Sequence, residues 1–198
     1  MGMNKDHWNK VAEANDHPWS GVPEWLPELI AKYEPSPRRG LDLGTGNGDK
    51  AIWLANQGFE LTGIDISDKA IEAAREKATA VAKQPQFVVA DIKDLASLGF
   101  GDGRFGLILD LLSSQFLPKQ HQQAHFRTVH ELVHPKGVFV YARVDSIGDG
   151  APEWVRELSM IEKEFTDLLS GFEVLERKKR PSENLTDTEL TRLVLKQP

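Results

Sequence analysis

The sequence predicts an α/β fold with a doubly wound, mostly parallel sheet of seven strands, helices on both faces and an antiparallel strand at the C-terminal end. Short apolar runs alternate with amphipathic stretches of helical spacing, which is the pattern of a parallel sheet covered on both faces. One of these runs leads directly into a glycine-rich turn. Two more apolar runs lie close together near the end of the chain and are expected to pair as a hairpin.

Five apolar runs are interpreted as parallel strands, because each is rich in Val, Ile, Leu or Phe, as strands buried on both faces should be. They lie at residues 40–43, 60–65, 86–91, 105–111 and 137–144. Four of them contain or end at an aspartate: Asp42, Asp65, Asp91 and Asp110. Since ligands of open α/β sheets bind outside the carboxyl ends of the strands, these acids predict a binding site at that edge.

Amphipathic spacing predicts helices over residues 49–57, 67–83, 120–133 and 152–169. Ser67 is a typical N-cap, and Gly58 is a typical residue for the left-handed position after a helix. The final hairpin is expected from residues 172–178 and 190–196. Because no repeat or linker interrupts the chain, we interpret residues 1–198 as one domain whose residues 1–36 form an N-terminal helical cap.

Composition excludes several kinds of function. The chain has no cysteine, which excludes disulfides, thiolate metal sites and thiol nucleophiles. Its net charge of −6 disfavours nucleic acid as a partner, because phosphate backbones are bound by clustered Lys and Arg; the basic run at residues 177–180 is interpreted as the exposed end of a strand. No apolar run approaches the roughly 20 residues of a membrane span, and the N-terminus lacks the apolar segment of a secretory signal. We therefore expect a cytoplasmic protein without a membrane partner.

The most informative segment is the turn after the first strand, which carries Gly44, Gly46 and Gly48. Glycines at every second position allow a ligand to approach the bare backbone. The third glycine comes one residue too early for the dinucleotide pattern G-x-G-x-x-G, and the Lys-Ser/Thr pair of a phosphate-binding P-loop is missing. Asp42 and Asp49 bracket the turn with negative charge, which repels a pyrophosphate and favours a cationic ligand.

The segment from Asp42 to Gly48 resembles the D-x-G-x-G-x-G first motif of class I S-adenosylmethionine-dependent methyltransferases. The spacing of the later acids and the two final strands strengthen the resemblance, which extends from about residue 19 to the end of the chain. It implies the Rossmann-like methyltransferase fold, S-adenosylmethionine as cofactor, S-adenosylhomocysteine as product and an enzyme that transfers a methyl group.

The resemblance also implies which residues contact the cofactor: Asp42, Gly44, Thr45, Gly46, Asn47, Gly48, Asp65, Ile66, Asp91, Ile92 and Asp110. Residues 44–48 and Asp42 would hold its amino-acid part, and Asp65 would accept from both ribose hydroxyls, as a carboxylate can. Ile66 would pack against the adenine, and Asp91 would accept from the adenine amino group with Ile92 beside it. Asp110 would face the methionine moiety and the substrate. A role as a cap or turn residue is the alternative for Asp91 and Asp110.

The acceptor is expected to be a small molecule, with its acceptor atom (O, N or S) left open. Segment 110–118 lacks the Asn/Asp-Pro-Pro-Tyr/Phe motif of methyltransferases that act on exocyclic amino or amide nitrogens, and composition excludes the cysteine-dependent classes. Residues 18–23 and 116–118 are similar to small-molecule methyltransferases of the thiopurine and tellurite-resistance type, whose N-terminal segment closes over the cofactor. This similarity makes Trp19 the best candidate for a lid residue at the cofactor. Trp8 and Trp25 are interpreted either as lid residues or as anchors of the cap.

The candidates for a catalytic role are His17, Asp110, Tyr141 and Arg143. His17 lies in the expected lid, whereas Tyr141 and Arg143 lie late in the fifth strand, either near the acceptor or as ordinary strand residues. His121 and His125 are four residues apart on one helical face and are interpreted as two exposed histidines, so no metal is expected. Methyl transfer requires alignment above all, and it needs a base only if the acceptor holds a proton.

Three alternatives remain from the sequence. An NAD-dependent oxidoreductase would also use Asp65 for a ribose, although the early third glycine and the final hairpin disfavour it. A sensor or partner subunit would bind S-adenosylmethionine without catalysis, because binding and turnover share the same residues. The third alternative is methylation of a macromolecule, which the acidic composition disfavours.

Overall fold

The computed structural model describes residues 3–14, 20–102, 104–146, 148–158, 162–182 and 185–198. In these residues the strands are β1 (Arg39–Leu43), β2 (Glu60–Asp65), β3 (Gln86–Val89), β4 (Phe105–Leu111), β5 (Val133–Ser146), β6 (Glu173–Pro181) and β7 (Thr188–Lys196). The helices are α1 (Lys5–Glu13), α2 (Trp25–Tyr33), α3 (Asp49–Asn56), α4 (Asp68–Ala78), α5 (Lys119–Leu132), α6 (Glu153–Leu158) and α7 (Glu162–Leu168). Two short 3-10 segments, Ile92–Leu98 and Ser114–Phe116, follow β3 and β4.

The strands form one sheet in the order β3-β2-β1-β4-β5-β7-β6. The first five strands pair in parallel, whereas β7 runs antiparallel between β5 and β6. The predicted fold is therefore confirmed, including the C-terminal hairpin. The usual dinucleotide-binding order, 3-2-1-4-5-6, has no strand inserted between the fifth and the sixth, so the observed order argues against an NAD site of that type.

Two apolar cores cover the two faces of the sheet, because successive residues of a strand point to opposite faces. On one face, Leu107 and Leu109 of β4 pack with residues of α2, α3 and α4. On the other face, Ile108 packs with Phe126 of α5 and Phe165 of α7. A slip of one residue would move every side chain of a strand into the opposite core, where it would not fit, so packing on both faces fixes the register. The carboxyl ends of β1, β2 and β4 are thereby held at one edge of the sheet.

Element boundaries differ from the prediction where a turn or cap competes with a strand or helix. β3 ends at Val89 because Asp91 instead caps the following 3-10 segment, accepting from the Lys93 amide at 2.9 Å. α4 ends at Ala78 rather than near residue 83, and β5 begins at Val133, directly after α5. The helix expected over 152–169 is described as two segments, α6 and α7, and residues 159–161 lie outside the described residues.

The expected N-terminal cap contains two helices with different attachment to the sheet. α2 buries Leu26, Leu29 and Ile30 and is part of the core. α1 has no buried residue and lies against the start of α4, where Lys5 forms an ion pair with Asp68 at 3.0 Å. In the described part of the chain, no helix combines the length and apolar character that a bilayer crossing requires.

Glu176 of β6 connects the cap helix α2 to the C-terminal hairpin. Its carboxylate accepts from Lys32 of α2 at 2.7 Å and from Arg192 of β7 at 2.6 Å. The hydrogen bond from Lys32, together with that from Arg192, outweighs the effect of burial and lowers the pKa of Glu176 from 4.5 to about 2. The ionised carboxylate therefore stabilises the fold above pH 4.5, and this contribution is lost as the pH falls from 4.5 through 2.

The substitution Glu176→Gln is expected to lower the free energy of unfolding by about 2 kcal/mol at neutral pH. This difference from wild type should shrink as the pH falls below 4.5, because the contribution of the ionised carboxylate is then lost from the wild type as well. Urea unfolding at several pH values measures it. The matched control is Glu173→Gln on the same strand, because Glu173 pairs with Lys196 in an exposed position and should contribute less than about 1 kcal/mol. A Glu176→Gln loss that did not change with pH would contradict the prediction.

Candidate functional site

The glycine-rich loop leaves β1 and turns back toward β2 before α3 begins. Gly44, Gly46 and Gly48 have φ values of +67°, +56° and +79°, a region that side-chain-bearing residues rarely adopt. The Thr45 amide donates to the carbonyl of Ile64 in β2 at 2.9 Å, and the Gly48 amide donates to the Thr45 carbonyl at 3.0 Å. The loop is thus fixed to the end of β2 before it enters the helix.

The three glycines have different roles, although the sequence predicted one role for all of them. A Cβ at Gly44 would overlap the side chain of Ser113, and a Cβ at Gly48 would lie 2.8 Å from Phe87 and 2.9 Å from Ala74. A Cβ at Gly46 would meet no atom within 4 Å. Gly44 and Gly48 are therefore required by the packing of the protein itself, and Gly46 is the glycine whose bare α-carbon faces open space.

Two aspartates near the loop differ in their accessibility. Asp42 is buried at 1% exposure, accepts from the Thr45 hydroxyl at 2.7 Å, and its other oxygen has no hydrogen-bond partner among the described residues. Burial raises the pKa of Asp42, and the charge of nearby Lys50 opposes that rise. Asp49 accepts from Lys77 and from the amide of Gly21 at 2.8 Å, so its charge is neutralised locally. The expected pair of free negative charges around the loop is reduced to Asp42.

Asp65, at the end of β2, joins the loop to the next helix. One carboxylate oxygen accepts from the amide of Gly46 and the other from the amide of Ser67, both at 2.9 Å. Ser67 then caps α4 by accepting from the amide of Ala70 at 3.0 Å, as its sequence position predicted. A carboxylate has about four acceptor positions, so Asp65 can accept further donors from the groove that it lines.

A continuous groove runs along the carboxyl edge of the sheet and has three parts. The central groove is lined by residues that include Trp8, Gly46, Lys50, Asp65, Ser113 and Phe116. The β3-side pocket, which shares Asp65 and Ser113 with it, is lined by residues that include Ile66, Asp91, Ile92 and His121. The β7-side pocket, which shares Lys50 with the central groove, is lined by residues that include Val22, Trp25, Leu111, Ala142 and Arg180.

The position of Asp91 agrees with both of its sequence-based interpretations. Its carboxylate caps the 3-10 segment and also forms an ion pair with Lys93 at 2.7 Å. It nevertheless lines the β3-side pocket together with Ile66 and Ile92. The residues that the resemblance assigned to the adenosine part of the cofactor thus lie together at one end of the groove.

Asp110 lies beneath the groove rather than in its lining, which corrects the expectation that it faces the substrate. It has no exposed area, and one oxygen accepts from the amides of Ser113 at 3.1 Å and Ser114 at 3.0 Å. The other oxygen lies 3.3 Å from Nε2 of His125, whose Nδ1 lies 3.2 Å from the carbonyl of Ile92. Asp110 therefore positions the segment that carries Ser113 and Phe116. His125 is buried at 2% exposure, so its interpretation as an exposed histidine is wrong.

Two further catalytic candidates, Tyr141 and Arg143, do not line the groove. Tyr141 is buried at 1% exposure between Phe126, Phe139 and Phe165, and burial raises the pKa of its phenol. Arg143 is also buried and forms an ion pair with Asp145. Both residues therefore contribute to the core of the sheet. His17 and Trp19 lie outside the described residues, and no group of three potential metal ligands occurs within the described ones.

Helix α1 crosses the central groove and touches both of its walls. The ring of Trp8 meets the ring of Phe116 edge to face, with centroids 5.0 Å apart. On the other wall, the Ser67 hydroxyl donates to Asn9 at 2.7 Å. Because α1 contributes no buried residue, these few contacts and the ion pair of Lys5 with Asp68 hold it in place.

Sequence reasoning missed Lys50, Ser113 and Phe116 as lining residues. Lys50 is a single lysine at the start of a helix, and no pattern distinguishes it from a solvent-exposed one. A signal did exist for Ser113, because an aspartate three residues before a serine commonly accepts from the amides of a turn. Leu112, which directly precedes Ser113, has a φ of +72°, a conformation that is energetically costly for leucine. It lines both the central groove and the β7-side pocket, at the point where the two meet.

The fold and the groove define a Rossmann-like α/β protein with a candidate ligand-binding groove at the carboxyl edge of its sheet. A solved structure with this fold is that of 1,6-didemethyltoxoflavin-N1-methyltransferase from Burkholderia thailandensis, with bound 1,6-didemethyltoxoflavin and S-adenosylhomocysteine. It has a TM-score of 0.76 and 18% sequence identity, over 98% of this chain and 87% of that chain. At this identity the likeness concerns the fold.

Sequence comparison shows a similarity to methyltransferases over about half of the chain. Residues 41–137, which contain the glycine loop, Asp65, Asp91 and Asp110, match the family model of the methyltransferase domain. The chain is 32% identical over 121 residues to the putative methyltransferase YqeM of Bacillus subtilis, covering 60% of this chain and 47% of that protein. It is 29% identical over 126 residues to the 2-heptyl-1-hydroxyquinolin-4(1H)-one methyltransferase of Mycobacteroides abscessus, covering 62% and 54%.

Residues 41–137 of this chain match a methyltransferase domain, and the resemblance of the glycine loop to class I S-adenosylmethionine-dependent methyltransferases is confirmed. S-Adenosylmethionine is the cofactor of that family, as the resemblance implied. The chain spans about half the length of the curated relatives it matches.

Substitution of the loop glycines tests their separate roles. Gly46→Ala is expected to lower the free energy of unfolding by about 1 kcal/mol, the cost of the left-handed backbone alone. Gly48→Ala adds overlap with Phe87 and Ala74 and is expected to cost about 3 kcal/mol. Urea unfolding measures both, and Gly99→Ala is the matched control because Gly99 has a φ of +67° and open space around it. Equal losses at Gly46 and Gly48 would show that packing does not distinguish them.

Proposed function

We propose that this chain binds S-adenosylmethionine in the central groove and the β3-side pocket and transfers its methyl group to a small-molecule acceptor. The observation that carries the proposal is the contact between the glycine loop and Asp65, in which the Gly46 amide donates to the carboxylate at 2.9 Å. This contact lies at the point where the central groove and the β3-side pocket meet. Gly46, whose α-carbon carries no side chain, and Asp65, the expected acceptor for the ribose hydroxyls, thus line the same space.

The groove residues fit the parts of this cofactor. The open space at Gly46 accommodates the amino-acid part, and Asp42 lies directly beneath the loop, where it accepts from the Thr45 hydroxyl. Asp65 retains acceptor capacity for the ribose hydroxyls. At the far end, Ile66 and Ile92 provide apolar contact for the adenine, and Asp91 provides an acceptor for its amino group. The remaining residues of the loop, which include Thr45 and Asn47, would contact the cofactor through their backbone atoms and would set the shape of the turn.

The chemistry requires that the protein align two reactants and exclude water. When bound, the sulfonium supplies the methyl group: an electron pair of the acceptor forms the new bond to the methyl carbon while the carbon–sulfur bond breaks and its electrons remain on sulfur. Trp8 and Phe116 cover the central groove, and Asp110 holds the segment that carries Phe116. Asp110, Tyr141 and Arg143 are all buried away from the groove, so we assign none of them as a base.

A small-molecule acceptor is supported by the relatives. One matched relative is a 2-heptyl-1-hydroxyquinolin-4(1H)-one methyltransferase, and one structure with the same fold contains 1,6-didemethyltoxoflavin. The cytoplasmic location and the absence of nucleic-acid partners stay predictions from the sequence. We also propose that residues 1–198 act as one domain in which α1 is a lid, since α1 covers the groove with few contacts.

The substitution Asp65→Asn is expected to weaken binding of S-adenosylmethionine and of S-adenosylhomocysteine about 10- to 100-fold, because a hydrogen bond to a charged acceptor contributes about 1.5–3 kcal/mol. Isothermal titration calorimetry measures it, with NAD as a ligand that should not bind. Asp167→Asn, at an exposed acid that lines none of the three parts of the groove, is the matched control. Unchanged binding after Asp65→Asn, or a preference for NAD, would refute the proposed cofactor site.

The substitution Trp8→Ala tests the lid. Loss of the contact with Phe116 is expected to raise the dissociation rate of S-adenosylhomocysteine about 10-fold, equivalent to about 1.4 kcal/mol, while the unliganded fold keeps its stability within about 0.5 kcal/mol. Stopped-flow fluorescence and urea unfolding measure the two effects. Lys10→Ala, exposed on the same helix, is the control. A large loss of stability without faster dissociation would identify Trp8 as an anchor of the cap instead.

A further inference from the structure

The β7-side pocket is positioned to hold the second reactant. It joins the central groove through Ser20, Lys50, Leu111 and Leu112, and it lies toward β5 and β7. The β3-side pocket, with Asp91 and Ile92, opens from the other end of the same groove. A nucleophile must approach the methyl carbon from the side opposite to sulfur, so the two reactants need adjoining spaces. The β7-side pocket adjoins the groove at the end away from the adenosine residues.

The walls of this pocket are mostly apolar. Val22 and Trp25 come from the cap, Leu111 and Leu112 from the end of β4, and Ala142 from β5. Such a lining favours a molecule with a substantial apolar surface.

The charged residues of the pocket are both cationic. Lys50 and Arg180 contribute to its lining, and no acidic residue does so among the described residues. The protein as a whole is acidic, with 30 acidic residues against 24 basic ones, whereas the charged residues in the described lining of this pocket are cationic. A pocket with this charge favours an anionic ligand.

Lys50 is an unusual lysine for this protein because it is mostly buried, at 9% exposure. Within the described residues its ammonium makes no hydrogen bond or ion pair, and the buried Asp42 interacts with it through space. Asp42 itself is held under the loop by Thr45. Because Lys50 lines the pocket and its ammonium has no direct partner among the described residues, an anion in the pocket can accept a charge-assisted hydrogen bond from it.

We propose that the β7-side pocket binds the methyl acceptor, and that this acceptor is a small, largely apolar molecule with an anionic group that Lys50 binds. The proposal rests on the proposed methyltransferase function. Arg180 lies at the rim of the same pocket on exposed β6 and contributes further positive charge. The alternative partner for Lys50 is the carboxylate of the cofactor, because Lys50 also lines the central groove. The charge of Arg180 favours the acceptor, since Arg180 lines the β7-side pocket and is absent from the lining of the central groove.

The test uses the full chain saturated with S-adenosylhomocysteine, which fills the cofactor groove and leaves the β7-side pocket for a probe. Calorimetric titration compares 2-naphthoate with its neutral isostere 2-naphthamide. The acid is expected to bind at least about 10-fold more tightly, as a charge-assisted hydrogen bond allows. In Lys50→Met the preference should fall below about 2-fold, and in Arg180→Met it should fall partially. Lys83→Met, an exposed lysine away from the groove, should retain the full preference.

Two further measurements separate the possible failures. If wild type binds S-adenosylhomocysteine but neither naphthalene probe, or both equally, the anionic acceptor site is refuted and the proposed function stands. If Lys50→Met weakens S-adenosylhomocysteine more than about 10-fold but leaves 5′-methylthioadenosine unchanged, Lys50 binds the cofactor carboxylate and the proposal is overturned. Failure of wild type to bind S-adenosylhomocysteine would instead refute the proposed function, before any probe is added. Thermal unfolding of each variant shows that the fold is intact.

Discussion

The carboxylate of Asp65 holds together the three elements that form the candidate site. It accepts from the amide of Gly46 in the loop after β1 and from the amide of Ser67 at the start of α4, while it belongs itself to the end of β2. Hydrogen bonds of this type contribute about 1.5–3 kcal/mol each, and here they constrain a loop whose glycines have intrinsic freedom. Because this hydrogen bond fixes the loop, the open space at Gly46 lies next to the carboxylate of Asp65. The groove is therefore organised before any ligand enters.

Charge is distributed unevenly along the groove, although the sequence suggested acids throughout. Asp49 and Asp91 are each paired with a lysine, Lys77 and Lys93 respectively, so they contribute little net charge. Asp65 is the acid that lines the central groove near the loop, whereas the charged residues that line the β7-side pocket, Lys50 and Arg180, are cationic. This arrangement is complementary to a cationic cofactor beside the loop and an anionic molecule beyond it. Electrostatic complementarity of this kind would also orient the two reactants relative to each other.

The fold combines a tightly packed sheet with a loosely attached covering helix. The sheet buries both faces, and the cap helix α2 shares in that core and is joined to the hairpin through Glu176. α1 buries no residue and rests on the groove through Trp8, Asn9 and Lys5. Segments with few buried contacts open at a lower free-energy cost than the core. The central groove is thus lined in part by a helix that contributes no buried residue to the core.

The sequence by itself determined the elements whose signals are local. Apolar runs fixed five parallel strands within a few residues, the spacing of Gly44, Gly46 and Gly48 marked the ligand loop, and Ser67 marked a helix start. Only the tertiary structure decided which side chains reach the groove, because contacts between distant residues control burial and charge pairing. Asp49 meets Lys77 28 residues later, and His125 meets Ile92 33 residues earlier. These contacts, which no periodicity encodes, neutralised one expected acid, buried an expected surface histidine, and left Lys50 in the groove.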